Sequence, residues 1–186
     1  MLFYTVSDEY VAFLKSIDSN VPDNYNEGRA YVGIVLNVNG IKYLAPLTSY
    51  KAEKQDRLSP SLPTLLKMYE KGNPKNPLGM VQINNMIPVL DSEITLLDLA
   101  SQAEPYKSML NKQLFFLKQT AISESLQAKA EKLYKYVVKD KHSFYSKISC
   151  KFDELENSMS SFQSSVSQPA TAGKLDALVS MFGKNS

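Results

Sequence analysis

The stretch that decides the fold reads Tyr31-Val32-Gly33-Ile34-Val35-Leu36-Asn37-Val38-Asn39-Gly40-Ile41-Lys42-Tyr43-Leu44-Ala45. Two apolar runs flank Asn39-Gly40. Asn-Gly tolerates the positive φ of a type I′ turn at both central positions, so the segment predicts a β-hairpin. Pro46 follows. It has no N–H to donate, which predicts the end of regular pairing there. Residues 47–62 are mostly polar and read as a long loop.

Outward from the hairpin, residues 2–6 alternate weakly and predict a short strand. Ser7 suits a helix N-cap, with Asp8 and Glu9 at the positive end of the helix dipole. Tyr10, Val11, Leu14 and Ile17 recur at helical spacing, and residues 19–28 hold Ser, Asn, Pro, Asp and Gly of a loop. On the other side, Thr64 to Tyr69 and Met80 to Val89 predict two strands, separated by the turn-rich Gly72-Asn73-Pro74-Lys75-Asn76-Pro77. Ile94 to Leu97 predicts a short closing strand. The period then changes. Tyr106, Met109, Leu110, Leu114 and Leu117 mark one helix; Leu126, Ala130, Leu133 and Val137 mark a second; Phe152 to Met159 a shorter third. Strands followed by helices imply α+β: a small, strongly bent antiparallel sheet packed by helices.

The 186 residues fit one domain, over 1–162, with 163–186 a mobile tail. A single cysteine, Cys150, excludes an intrachain disulfide and suits a reducing compartment. It is either a lone semi-buried thiol or a nucleophile in need of a base. No stretch approaches the roughly 20 apolar residues of a membrane span, and no basic leader opens the chain. The expected location is the cytoplasm, with no membrane partner.

Net charge is +2 but unevenly spread. Residues 107–151 hold ten lysines against Glu124, Glu131 and Asp140, a local +7, which leaves −5 for the rest. That asymmetry fits a surface facing a polyanion, or a set of solvated helix faces.

Familiar catalytic motifs are absent. There is no Gly-rich phosphate loop, no paired-Cys site, and one histidine, His142. In Glu53-Lys54-Gln55-Asp56-Arg57 the acids alternate with cations, so neither a metal nor another cofactor is expected. What remains is Thr48-Ser49-Tyr50-Lys51, which places two hydroxyls and an ammonium just beyond a strand end. RNA carries its own nucleophile, the 2′-OH, so an enzyme need only align it and stabilise charge on the phosphorane. Tyr25 and Arg29 precede the first hairpin strand. In an antiparallel hairpin the start of one strand lies beside the end of the other, so Arg29 and Thr48 should be neighbours. Arg offers a planar fork to phosphate, and Tyr can stack a base.

At these residues the sequence resembles a known family, the type III toxin–antitoxin endoribonucleases of the ToxN/AbiQ family. The matching stretches are Phe3-Tyr4-Thr5-Val6, Tyr31 to Leu36, Lys42-Tyr43-Leu44-Ala45-Pro46-Leu47-Thr48-Ser49 with Lys51, Leu78-Gly79, and Met86-Ile87-Pro88-Val89. Leu96-Leu97-Asp98-Leu99, Tyr106, Met109-Leu110 and Lys112-Gln113-Leu114 extend the likeness, which covers about residues 2–156. The resemblance implies an SH3-like (MazF/Kid-like) barrel with added helices, mostly C-terminal. It implies an abortive-infection toxin that cuts RNA without a metal, leaving a 2′,3′-cyclic phosphate.

The implied partners are cellular or phage RNA as substrate, and a small repeated antitoxin RNA, often a pseudoknot. The toxin processes that RNA and is held by it in a closed toxin–RNA hetero-oligomer. The implied catalytic residues are Tyr25, Arg29, Thr48, Ser49 and Lys51. Arg29 stands where a lysine is expected, which keeps the phosphate clamp and puts a proton-transfer role in question. RNA contacts are expected from Lys42, Lys54, Arg57, Lys112, Gln113, Lys118 and Phe115. Phe116, Tyr134 and Tyr145 either join them or belong to the core. The alternative is a non-catalytic toxin on the same barrel that binds RNA or a protein. It differs in one respect: Lys51→Ala or Thr48→Ala would then leave toxicity intact.

Overall fold

The computed structural model of the chain describes residues 1–163. The mobile tail expected over 163–186 lies outside the described residues, apart from Gln163.

Strand β1 (Leu2–Val6) leads into helix α1 (Asp8–Ile17). Ser7 caps that helix as its composition predicts: its hydroxyl accepts from the Tyr10 N–H and donates to Glu93 at 2.5 Å. The predicted hairpin is β2 (Tyr31–Val38) and β3 (Ile41–Thr48), with Asn39 at φ 51° and Gly40 at φ 86° in the turn. A one-turn helix, α2 (Ala52–Gln55), interrupts the expected long loop. Strands β4 (Leu65–Glu70), β5 (Asn73–Gln82), β6 (Ile87–Val89) and β7 (Ile94–Leu96) follow. The helices α3 (Tyr106–Leu117), α4 (Thr120–Tyr134), α5 (Ser143–Ile148) and α6 (Phe152–Ser158) come next.

The strands form one antiparallel sheet in the order β4-β5-β3-β2-β1-β7, with β6 also on β3. The α+β expectation holds. The expected SH3-like barrel is not closed: β4 and β7 end the strand order, and among the described residues no pairing joins them.

Three local expectations differ from what the chain does. Pairing does not stop at Pro46; β3 runs on to Thr48. Leu47 donates its N–H to Ala30, so the Pro46 nitrogen faces the other edge of β3. There the neighbour changes from β6 (Lys42 to Leu44) to β5 (Leu47 and Thr48), and no donor is called for. The predicted strand Met80 to Val89 is broken by a 3₁₀ turn at Ile83–Asn85. Asn84 and Asn85 spend their side-chain amides on the carbonyls of Ile148 and Asn20, tying the sheet to the helices. The turn-rich Gly72 to Pro77 contains only a tight turn at Gly72 (φ 75°); β5 begins at Asn73, with irregular register to Pro77.

One hydrophobic cluster runs from Phe3 to Leu155. α3 packs on β4 and β5, α4 on β2, and α6 on α1 and β6. Tyr134, weighed above as an RNA contact, is core: it stacks on Phe152 at 6.1 Å and donates its hydroxyl to Glu156. Cys150 is fully buried and burial pushes its thiol pKa up, which makes it inert rather than nucleophilic.

Candidate active site

The hairpin geometry predicted from sequence is met. Tyr31 pairs with Pro46, so the approach to β2 lies against the end of β3. Beside that junction opens a cleft of about 310 Å³. Its walls carry all five predicted catalytic residues, Tyr25, Arg29, Thr48, Ser49 and Lys51, together with Gln113. Among the described residues, no carboxylate lines it.

Arg29 is held by the backbone on both sides. Its Nε donates to the Asp23 carbonyl at 2.6 Å and its Nη1 to the Leu47 carbonyl at 3.3 Å. The guanidinium lies 4.8 Å from the Tyr25 ring centre, a cation–π contact that fixes both groups. A guanidinium has five N–H groups, so most of this fork stays available to a phosphate.

Tyr25 opens a run of three left-handed residues: Tyr25 (φ 55°), Asn26 (φ 54°) and Glu27 (φ 57°). Such a conformation costs a non-glycine residue about 1–2 kcal/mol and persists only where the surroundings over-determine it. Here Asp8 does so. Its Oδ1 accepts from Asn24 Nδ2 at 2.7 Å and from the Glu27 N–H at 3.1 Å, while Gly28 N closes the turn on the Tyr25 carbonyl. The strain holds the Tyr25 ring out of the core, 69% exposed, at the cleft.

Thr48 is half-buried; Ser49 and Lys51 are exposed. Lys51 is the N-cap of α2, and the Gln55 side chain accepts its N–H at 2.7 Å. Among the described residues, no ion pair engages Arg29 or Lys51. Next to the cleft, Tyr50 donates to Asp56 at 2.5 Å, an arrangement that pushes its pKa up to about 12. The buried Lys67 lies 5.8 Å from the Tyr50 ring.

On the opposite wall sequence reasoning singled out Gln113, as an RNA contact, and missed its neighbours. Tyr106, Met109 and Leu110 of α3 face the hairpin residues across the cleft. Half-burial raises the Tyr106 hydroxyl pKa. Gln113 anchors this wall: buried, it donates Nε2 to the Leu78 carbonyl at 2.6 Å. Gly79 next to it has φ 135°, and a Cβ there would meet the Thr48 carbonyl at 2.8 Å and Gln113 Nε2 at 2.9 Å. Helical spacing marked α3 without indicating what it docks on.

The other expected RNA contacts are dispersed. Lys42 sits near the hairpin turn, at the far end of β3 from Thr48, in an ion pair with Asp91 at 2.7 Å. Lys112 pairs with Glu70 at 2.6 Å. Phe115 is 51% exposed beneath the Lys71 ammonium, whereas Phe116 packs on the core. Lys54 and Arg57 are exposed just past Lys51, and Lys118 is exposed at the end of α3.

The known proteins this chain is similar to agree with one another. Residues 2–160 match the family described as Toxin ToxN, type III toxin-antitoxin system. The chain is 40% identical to the endoribonuclease AbiQ of Lactococcus lactis subsp. lactis, over 83% of this chain and 85% of that one. It is 38% identical to the endoribonuclease ToxN of Pectobacterium atrosepticum, over 87% of this chain and 94% of the other. Among solved structures, one described as a processed non-coding RNA regulating a bacterial antiviral system matches at TM-score 0.79, 37% identity, 88% of this chain and 100% of that chain. The solved structure of AbiQ, a lactococcal anti-phage endoribonuclease, matches at TM-score 0.77, 39% identity, 86% and 95%.

Proposed function

The chain belongs to the type III toxin–antitoxin ToxN family, and from that premise we propose that it is an endoribonuclease whose cleft holds the scissile phosphodiester. The observation that carries this is the pairing of two cations, Arg29 and Lys51, with the Thr48 and Ser49 hydroxyls around one cleft, neither cation in an ion pair among the described residues. An unpaired cation at a concave site favours an anionic ligand.

In this mechanism the substrate supplies the nucleophile. The 2′-oxygen attacks the adjacent phosphorus and loses its proton, the P–O5′ bond breaks, and the 5′-oxygen takes up a proton. The products carry a 2′,3′-cyclic phosphate and a 5′-hydroxyl. Arg29 and Lys51 stabilise the charge gathered on the non-bridging oxygens, a task a metal ion performs elsewhere. Thr48 and Ser49 donate to the same oxygens and fix the in-line angle. Tyr25, with its rigid backbone, stacks a base beside the cut, which gives the site sequence specificity. The cytoplasm supplies both substrate and partner. The partner is a repeated antitoxin RNA that occupies the same cleft in a closed toxin–RNA assembly.

The test is cleavage of a labelled RNA with EDTA present, followed by analysis of the new 3′ ends. Cyclic-phosphate ends with undiminished rate are expected, and Lys51→Ala or Thr48→Ala should lower the rate by about 10²–10³ while RNA binding persists. Activity lost with chelator and restored by magnesium would overturn the mechanism.

A further inference from the structure

Away from the cleft, the end of α4 builds an aromatic group that the catalytic reading does not use. The Tyr136 and Tyr145 rings stack at 5.0 Å with planes 9° apart. His142 lies 4.9 Å from Tyr145, and Phe144 meets the Tyr145 edge at 5.3 Å. Neither His142 nor Phe144 is covered; Phe144 is 56% exposed. None of the four lines the cleft.

The backbone is specialised to hold them there. α4 ends in a π-helical turn, Lys135–Lys139, and Lys141 takes the left-handed conformation at φ 48°. The His142 N–H returns to the Tyr136 carbonyl at 2.8 Å, which closes the rings onto one another. π-turns and left-handed non-glycine residues concentrate at sites with a use.

Charge points to the occupant. From Lys132 to Lys147 the chain has five lysines and one acid, Asp140. Lys135 and Lys141 are paired with Asp140 and Asp153. Lys132 lies over the Tyr136 ring at 5.8 Å, and Lys139 and Lys147 are exposed with no acidic partner among the described residues. Unpaired cations beside the exposed His142 and Phe144 rings match a single-stranded nucleic acid, whose phosphates meet the lysines while its bases stack.

We propose that His142 and Phe144, backed by the Tyr136–Tyr145 stack and flanked by Lys139 and Lys147, form a second RNA-binding surface that stacks unpaired bases of the antitoxin RNA. The inference rests on the functional reading above. An RNA that inhibits a ribonuclease must stay on it without being turned over, which takes contacts outside the cleft. A short substrate has no need of them.

The experiment compares wild type with Phe144→Ala, Lys147→Glu and the double variant, all exposed positions whose change leaves the core intact. Each is titrated by fluorescence anisotropy with antitoxin RNA, the RNA encoded beside the gene, on a Lys51→Ala background that does not cut it. In parallel, each with Lys51 intact is assayed on an oligonucleotide just long enough to fill the cleft. The expected result is about tenfold weaker antitoxin binding for Phe144→Ala and a salt-dependence slope lower by about one for Lys147→Glu, with the oligonucleotide cut at the wild-type rate. Wild-type affinity and slope in both variants would overturn the second surface alone, and would leave this face to a protein partner. Equal losses on oligonucleotide cleavage would also overturn it, since the residues would then belong to the cleft. A wild-type chain that neither binds nor cuts RNA would sink the functional reading itself.

Discussion

The guanidinium of Arg29 donates to the Leu47 carbonyl at 3.3 Å, so one side chain ties the approach to β2 to the end of β3. The same group donates to the Asp23 carbonyl and covers the Tyr25 ring. A lysine at position 29 keeps the charge but cannot reproduce the planar fork that spans both carbonyls. Arg29→Lys should therefore lower the single-turnover cleavage rate by about 10-fold, and Arg29→Ala by about 10²–10³. Thermal melts of both variants check that the loss is chemical. A wild-type rate for Arg29→Lys would show that charge alone is used.

Gly79 is where the two walls of the cleft meet. With φ at 135° and contacts of 2.8 Å and 2.9 Å awaiting any Cβ, an alanine must displace the Thr48 carbonyl or the Gln113 amide. Neither yields easily, since one is backbone and the other is held at 2.6 Å by Leu78. Gly79→Ala should cost about 1–3 kcal/mol in urea unfolding and widen the cleft, with a loss of activity larger than the stability change alone explains. An unchanged urea midpoint would contradict this packing.

The parts of this architecture that were legible in the sequence are those fixed by near neighbours. Asn39-Gly40 sets the hairpin, and the hairpin alone brings Arg29 beside Thr48. What was not legible depends on contacts between distant segments. Tyr106 reaches the cleft because Gln113, one helix face along, docks on Leu78, 35 residues away. Lys42, expected to meet RNA, has its ammonium paired with Asp91, 49 residues on, a contact no near neighbour announces. Asn84 and Asn85 sit in an apolar run that reads as strand, and break it because their amides find carbonyls on the helical side. The ten-lysine stretch divides likewise: Lys112, Lys135, Lys141 and Lys151 are paired, and Lys129 donates to the Pro60 and Leu62 carbonyls. Charge counts cannot distinguish these from cations left free.

Asp8 supports Tyr25 from outside the cleft. Its Oδ1 takes both the Asn24 amide and the Glu27 N–H, and three successive left-handed residues depend on that grip. Asp8→Ala should cost about 1–3 kcal/mol and lower the cleavage rate without touching substrate. Glu27→Gly in the same background should recover part of the stability, because glycine takes a positive φ without steric penalty. Faster amide exchange at Gly28, whose N–H closes the turn on Tyr25, should report the loosened loop. Wild-type exchange in Asp8→Ala would show that the turn holds itself.

Alkaline pH tests the buried tyrosines. Burial pushes the hydroxyls of Tyr10, Tyr31 and Tyr43 up, and burial followed by the Glu156 hydrogen bond pushes Tyr134 up to about 12. An unfolded tyrosine ionises near pH 10. The folded state thus holds these protons more tightly, and the stability they contribute is whole below pH 10 and lost as pH rises through the folded values. For Tyr134 that window is about pH 10–12. Each such tyrosine should take about 1.4 kcal/mol from the unfolding free energy per pH unit across its window. Tyr31 isolates the effect, because its buried hydroxyl has no hydrogen-bond partner among the described residues. Tyr31→Phe should match or exceed wild type at pH 7, by up to about 1 kcal/mol, and show a shallower decline above pH 10. Urea midpoints at pH 7, 10 and 11 decide it: a loss above about 2 kcal/mol at pH 7 would mean the hydroxyl is satisfied after all.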